Sequence, residues 1–197
     1  KKIVSGVHNK MCACEMGGKN ALIVLDDANL DIAVNAAIIS AFKTSGQRCT
    51  SASRLIVHEK VLNEFERRFV ETTRRIKIGD PLDENVFMGP VINQAATEKI
   101  GRYNDLAKKE GAQVLLDGGR LTGNEYKKGY FMSPFVYRME NNPKSHVLHE
   151  EVFGPHVAII PVKDIDDAIE VHNDTDYGLA SAVITEDFRK ARRIRDD

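Results

Sequence analysis

Cys49 lies in the stretch TSGQRCTS, thirty-four positions after Glu15 in the stretch CEMGGKN. Ser45 and Gly46 precede the cysteine, and Thr50, Ser51 and Ala52 follow it, so no bulky side chain stands on its C-terminal side. A core cysteine has apolar neighbours along the element it supports, whereas a working thiol must be offered by residues that leave room for a substrate. As a thiolate, Cys49 could attack a carbonyl carbon. The residue types alone leave both a nucleophile and an inert thiol open. Glu15 precedes Gly17 and Gly18. It reads either as a solvated charge at a strand end or as a general base in a loop whose glycines allow close backbone approach. A third candidate is HEEVFGP, 149–155. By itself it reads as a loop entering a strand at Val157; the chemical alternative is one carboxylate accepting hydrogen bonds from a diol while Phe153 packs on a ring.

Other combinations are weaker. His8, Cys12 and Cys14 lack a fourth ligand and the paired spacing of a zinc site, so no metal is expected. Cys12 and Cys14, two residues apart in the alternating stretch Lys10 to Cys14, are expected on one side of a strand and buried. Arg189 to Arg195 alternates with acids and reads as a solvated helix face. Neither a GxGxxG nor a GxxxxGK(S/T) phosphate loop is present.

The elements that must position these residues follow from apolar periodicity. The run ALIVL at 21–25 is a strand buried on both faces. From Asp26 and Asp27 a helix opens, with Leu30, Ala33, Val34, Ala37, Ile38, Ala41 and Phe42 on one stripe, and Gly46 ends it before the Cys49 loop. Leu55 to Val57 is a strand, Leu62 to Ile76 a helix, 78–90 an ordered loop, and Gln94 to Lys109 a helix stopped by Gly111. Then come a strand at Val114 to Leu116, irregular sequence over 118–135, a strand at Val157 to Val162, a helix at Ile165 to His172 and a strand at Leu179 to Ile184. Asp187 to Arg195 reads as a further helix. This alternation predicts an α/β fold, a mainly parallel sheet with helices on both faces. In such sheets ligands sit beyond the carboxyl ends of strands, and the Cys49 loop is expected there.

Composition narrows the class. The chain has 197 residues, 42% hydrophobic and 29% charged, with a formal net charge of -1, which gives no electrostatic reason for a nucleic-acid or anionic-membrane partner. No apolar run approaches the roughly 18–20 residues of a membrane span, and no signal peptide opens the chain. Three irregularly spaced cysteines argue against a disulfide framework and for a reducing compartment, most simply the cytoplasm. The chain starts at Lys1 and ends at Asp197 within a helical stretch, so a fragment of a longer polypeptide is expected.

Taken together, the motifs resemble the aldehyde dehydrogenase superfamily. EMGGKN is similar to its Glu-(Leu/Met)-Gly-Gly-Lys signature, with Glu15 as the glutamate, and SGQRCT to its Gly-Gln-x-Cys loop, with Cys49 as the cysteine. MGPVI (88–92), EEVFGP (150–155) and DTDYGLASAVIT (174–185) match later family segments in the same order. The resemblance implies oxidation of a small-molecule aldehyde to its acid with NAD or NADP, Cys49 as catalytic nucleophile and Glu15 as general base. It further implies that Glu151 binds the nicotinamide ribose, that Phe153 and Leu179 border the nicotinamide, and that Arg48 lines the substrate tunnel. Residues 1–16 then correspond to the end of a cofactor-binding domain or a linker, and 17–197 to the catalytic domain, truncated at its C-terminus. The oxyanion asparagine and most of the cofactor domain would lie upstream, the full-length protein would be a homo-oligomer, and these 197 residues alone would be inactive. Glu15 favours acid-forming members over the coenzyme A acylating type; that type and a non-catalytic dehydrogenase-like binding domain are the alternatives. FMGPVINQAA and GQRCTSASR resemble semialdehyde dehydrogenases, including the pyrroline-5-carboxylate and ketoglutarate-semialdehyde types.

Overall fold

In a computed structural model, which describes Gly6 and residues 10–197, six strands form one sheet in the order β3-β4-β5-β2-β1-β6. In chain order the elements are β1 (Asn20–Val24), α1 (Leu30–Phe42), a 3-10 turn (Lys43–Gly46), β2 (Ala52–His58), α2 (Glu59–Arg74), α3 (Gln94–Lys109), β3 (Gln113–Leu116), a 3-10 turn (Asn124–Tyr126), β4 (Phe135–Arg138), α4 (His146–His149), β5 (His156–Val162), α5 (Ile165–Asn173), β6 (Ser181–Ile184) and α6 (Phe188–Asp196). Strands β4, β5, β2, β1 and β6 are mutually parallel, and β3 runs antiparallel to β4 at the edge.

The central strands are apolar on both sides because both sides are covered. Leu22, Val24, Leu55 and Val57 pack with Phe42, Phe65 and Phe69 from α1 and α2. Ala21, Ile23, Ile56 and Ile160 pack with α5 and α6 through Ala168, Val171 and Ile194. This is the period-two alternation of a strand read twice, once for each face. Leu55, Ile56 and Val57 are fully buried, and each such side chain contributes about 1.5–3 kcal/mol.

The helices begin where side-chain caps allow. Asn29 accepts from Asp31 and Ile32 N–H at the start of α1, Asn93 from Ala96 at α3 and Asp164 from Asp167 at α5. The first helix therefore opens at Leu30, not at Asp26. After α3, Gly111 turns the chain at φ +89°. The strand expected from Leu179 begins at Ser181. The strand Phe135–Arg138 was not expected from the sequence, because four residues after a proline carry too little pattern.

The expected position of the site needs correcting. Residues 17–19, 46–51, 150–155 and 175–180 immediately precede β1, β2, β5 and β6, and these strands are parallel, so all four segments gather at the amino edge of the sheet. The reason is loop length. At the carboxyl edge β2 passes straight from His58 into α2, and β5 is separated from α5 only by Lys163 and Asp164. The glycine-rich connections, with room for a site, are those that lead into strands.

Candidate active site

Cys49 is a free, half-buried thiol in the loop between the first 3-10 turn and β2. A turn surrounds it, since Ser51 N–H donates to the Arg48 carbonyl at 3.0 Å. Gly46 has φ +67°, and a Cβ there would run into the Gly154 carbonyl, so the loop rests on the EEVFGP segment and only glycine fits. The MGPVI segment braces the other side: Ser45 Oγ donates to the Gly89 carbonyl at 2.8 Å, and Ile92 N–H donates to Gln47 Oε1 at 2.8 Å.

The chain entering β1 touches this loop directly. A Cβ on Gly18 would lie 2.6 Å from the Cys49 carbonyl oxygen, and a Cβ on Gly17 would overlap the Glu151 carboxylate. Glu15 is exposed, in a segment without regular structure. It is three residues from Gly18, a tether of at most about 11 Å. Glu151 accepts from Gly18 N–H through Oε1 at 2.9 Å, while Lys99 Nζ donates to its carbonyl at 2.7 Å. The neighbouring Glu150 is engaged elsewhere, by the Tyr103 hydroxyl and by His146 Nδ1 at 2.7 Å. Those two hydrogen bonds, Tyr103 first, hold its carboxyl below the usual range. Of the two adjacent acids, then, Glu151 faces the Cys49 side.

Phe153 is exposed and adopts φ +62°, a left-handed conformation rare for a large side chain. Arg48, Glu151 and Phe153 border one narrow gap with Gly18 and Gly46. Arg48 is itself exposed, its guanidinium donating to the Ile39 carbonyl at 3.3 Å. Leu179 is exposed and borders a different space, a cavity of about 310 Å³ shared with Lys19, Asn20, Arg54, His172 and Tyr177.

The expectation for Cys12 and Cys14 is overturned. Both are exposed in a segment with no strand, with sulfurs 3.8 Å apart. The alternating pattern fails here because no neighbouring strand pairs with Lys10 to Cys14 among the described residues. His8 lies outside the described residues. Among the described residues no group of three or more His, Cys, Asp or Glu side chains could hold a metal ion.

Three polar residues at the strand entries were missed. Lys19, fully buried, donates to the carbonyls of Val147 at 2.8 Å and Glu150 at 2.9 Å. Arg54 donates to the carbonyls of Lys19 at 3.0 Å, Val171 at 2.8 Å and His172 at 3.0 Å. Helices antiparallel to the strands end at the amino edge, so α4 and α5 deliver their carbonyl-rich ends there and the two cations satisfy them. Burial, then the proximity of Arg54, lowers Lys19 to about 7; burial lowers Arg54 to about 10. Asn20 ties the Cys49 loop to the segment before β6. The available signal was a Lys-Asn pair and an Arg set directly against apolar runs, KNALIVL and SRLIV, where a solvated charge has no place.

Comparison with known proteins agrees with this architecture. The model of the aldehyde dehydrogenase family matches residues 1–197. A 1-pyrroline-5-carboxylate dehydrogenase of Geobacillus sp. (strain WCH70) is 40% identical over 188 residues, 95% of this chain and 35% of that protein. A betaine aldehyde dehydrogenase of Brucella anthropi is 37% identical over 190 residues, 96% of this chain and 39% of that protein. The crystal structure of Staphylococcus aureus betaine aldehyde dehydrogenase in complex with NAD+ superposes with a TM-score of 0.88 at 37% identity, covering 92% of this chain and 36% of that one. The chain belongs to the aldehyde dehydrogenase family. It spans little more than a third of the length of these relatives. No helix among the described residues is long and apolar enough to cross a membrane.

Proposed function

We propose that this chain is the thiol-bearing part of an enzyme that oxidises an aldehyde to the carboxylic acid, with residues up to Met16 closing a cofactor-binding domain and 17–197 forming the catalytic domain. The observation that carries this is the contact of Gly18 with the Cys49 carbonyl, which ties the glutamate-bearing segment to the nucleophile loop. The Cys49 sulfur attacks the aldehyde carbon; a C–S bond forms and the carbonyl π electrons move to oxygen. The Cys49 backbone N–H, in this reading, donates to that oxyanion. Loss of hydrogen with its electron pair restores the C=O bond and leaves a thioester on Cys49. Glu15 takes a proton from water, the water oxygen adds to the thioester carbon, and the C–S bond breaks with its electrons returning to sulfur.

NAD or NADP, when bound, supplies the acceptor for the hydride. Residues of this chain fit such a group: Glu151 offers carboxylate lone pairs for ribose hydroxyls, and Phe153 and Leu179 are exposed apolar side chains on segments of the same edge. Arg48 lines the approach of the substrate. A semialdehyde is the favoured substrate, since relatives at 40% identity carry the pyrroline-5-carboxylate name. The full-length protein acts as a cytoplasmic homo-oligomer without nucleic acid or membrane.

In the full-length protein, Cys49→Ser should lower turnover at least about a thousandfold. Glu15→Gln should lower it by about 10²–10⁴ while acyl-enzyme still forms, seen as a burst of NADH or NADPH followed by slow turnover. Normal turnover with serine at 49 would overturn the reading, as would undiminished thioester hydrolysis with glutamine at 15. A panel of aldehydes assayed with both cofactors tests the substrate class. The isolated 197-residue chain should show little or no dehydrogenase activity.

A further inference from the structure

Asn20 is only 5% exposed at the entry of β1. Its side-chain nitrogen donates to the Cys49 carbonyl at 2.6 Å and to the Ser51 carbonyl at 2.9 Å, and its side-chain oxygen accepts from Ala180 N–H at 3.1 Å. The orientation of the amide is fixed by chemistry, because carbonyl oxygens can only accept and a backbone N–H can only donate. Both amide hydrogens and one oxygen lone pair are therefore committed.

The backbone explains why a side chain is needed here. The β1–β2 register slips after Asn20, which faces Ala52, while Ala21 faces Arg54. The β1–β6 ladder starts one residue later, with Ala21 opposite Ser181. On both flanks the regular backbone pairing stops at the point where the Cys49 loop and the 175–180 segment arrive. The Asn20 amide adds a rung on each side. It thereby connects the nucleophile's own carbonyl to the segment that carries Leu179, across the wall of the 310 Å³ cavity.

We propose that Asn20 is a positioning residue that sets the reactivity of Cys49 and links it to occupancy of the space beside Leu179. This rests on the reading of Cys49 as nucleophile. A substitution that cuts the rungs lets the turn around Cys49 relax, and the thiol loses its alignment although the fold persists. The aspartate variant is the sharper probe. It keeps an acceptor for Ala180 N–H but turns a carboxylate oxygen toward the carbonyls of Cys49 and Ser51, where both partners can only accept.

The test uses the full-length protein without added cofactor and p-nitrophenyl acetate as acyl donor. The Cys49 thiolate attacks the ester carbon, the C–O bond breaks and p-nitrophenolate leaves with the bonding electrons, so the burst reports acylation of the thiol alone. Asn20→Asp and Asn20→Leu should each slow the burst at least tenfold. Leu22→Ala, a core change in the same strand, should lower the melting temperature by a comparable or larger amount yet keep the burst within twofold. NAD+ or NADP+ should alter the rate of Cys49 alkylation by iodoacetamide in the parent protein, and that response should fall at least threefold in both Asn20 variants. If Asn20→Asp acylates at the parent rate, or Leu22→Ala slows the burst as much as the Asn20 variants, the positioning role is refuted. A burst that survives Cys49→Ser would instead refute the nucleophile reading on which it rests.

Discussion

At the carboxyl edge of the sheet, Asp26, Asp27, Lys60 and Lys190 make a partly exposed knot. Lys190 lies 2.7 Å from Asp26 and 3.3 Å from Asp27, Lys60 lies 3.2 Å from Asp26, and Thr185 Oγ1 donates to Asp27 at 2.8 Å. At the amino edge, Lys19 and Arg54 lie buried on backbone carbonyls, with no side-chain ion pair to an acid among the described residues. Both arrangements satisfy charges at strand ends, but water competes for one and is excluded from the other. Exposed pairs contribute about 0–1 kcal/mol each. A buried acceptor stripped of its donor costs about 1–3 kcal/mol. The edge with fewer ion pairs should therefore be the one on which stability depends, and it is also the edge that carries the candidate site.

The largest contrast should come from Arg54→Met. It leaves the carbonyls of Lys19, Val171 and His172 without their donor, and should cost at least about 3 kcal/mol of unfolding free energy, measured by chemical denaturation of the full-length protein. A cost below 1 kcal/mol would erase the distinction between the edges.

Acid should separate the edges next. His156 stacks on Phe135, with ring centroids 5.4 Å apart, and meets Tyr137 edge-on at 5.0 Å, and both its ring nitrogens are buried without a partner among the described residues. Burial, with Lys19 adding to it, lowers its pKa to about 3. The unfolded chain takes up a proton near the ordinary value of 6.5, which the folded one refuses. Stability is thus undiminished above 6.5 and falls as pH drops from 6.5 toward 3, by up to about 1.4 kcal/mol per pH unit from this group. His156→Phe should flatten the decline over that window; an unchanged slope would show that other groups set it.

The carboxyl edge should give the smallest response. Lys190→Met should cost no more than about 1 kcal/mol, and the cost should shrink in 1 M salt. Its hydrogen bond, with that of Lys60, lowers Asp26 to about 2. The contribution of this knot is present above 3.8 and is lost as pH falls through about 2, a window that overlaps only the acid end of the range in which His156 acts. A salt-insensitive loss of several kcal/mol would mean the knot is drier than its exposure suggests.

Much of this could be read from the chain because strands buried on both faces leave unbroken apolar runs, as in ALIVL, and because helices such as Leu30–Phe42 keep a stripe. Cys49 and Glu15 stood out as candidates from the small residues around them, and the resemblance of their motifs to the family's gave them proposed roles. What escaped was set by partners distant in sequence. Nothing local in FVYR announces a strand, since β5 supplies its pairing. Nothing in EE tells which acid turns inward, since Gly18 N–H on one side and Tyr103 with His146 on the other decide it. The amino-edge location followed from βα connections too short to hold a site, which becomes visible only when strand directions are known. Asn20 reads as an ordinary strand-entry residue until the register slip beside it is seen.

Phe153 carries its ring on a backbone twist that glycine would adopt freely. Phe153→Gly should relieve roughly 1 kcal/mol of local strain while deleting the aromatic surface proposed to border the cofactor. Thermal resistance and cofactor affinity would then move in opposite directions on one substitution. Selection for robustness alone would discard this phenylalanine, so its presence marks a place where the chain tolerates a less comfortable backbone in exchange for a ring held out at a fixed angle.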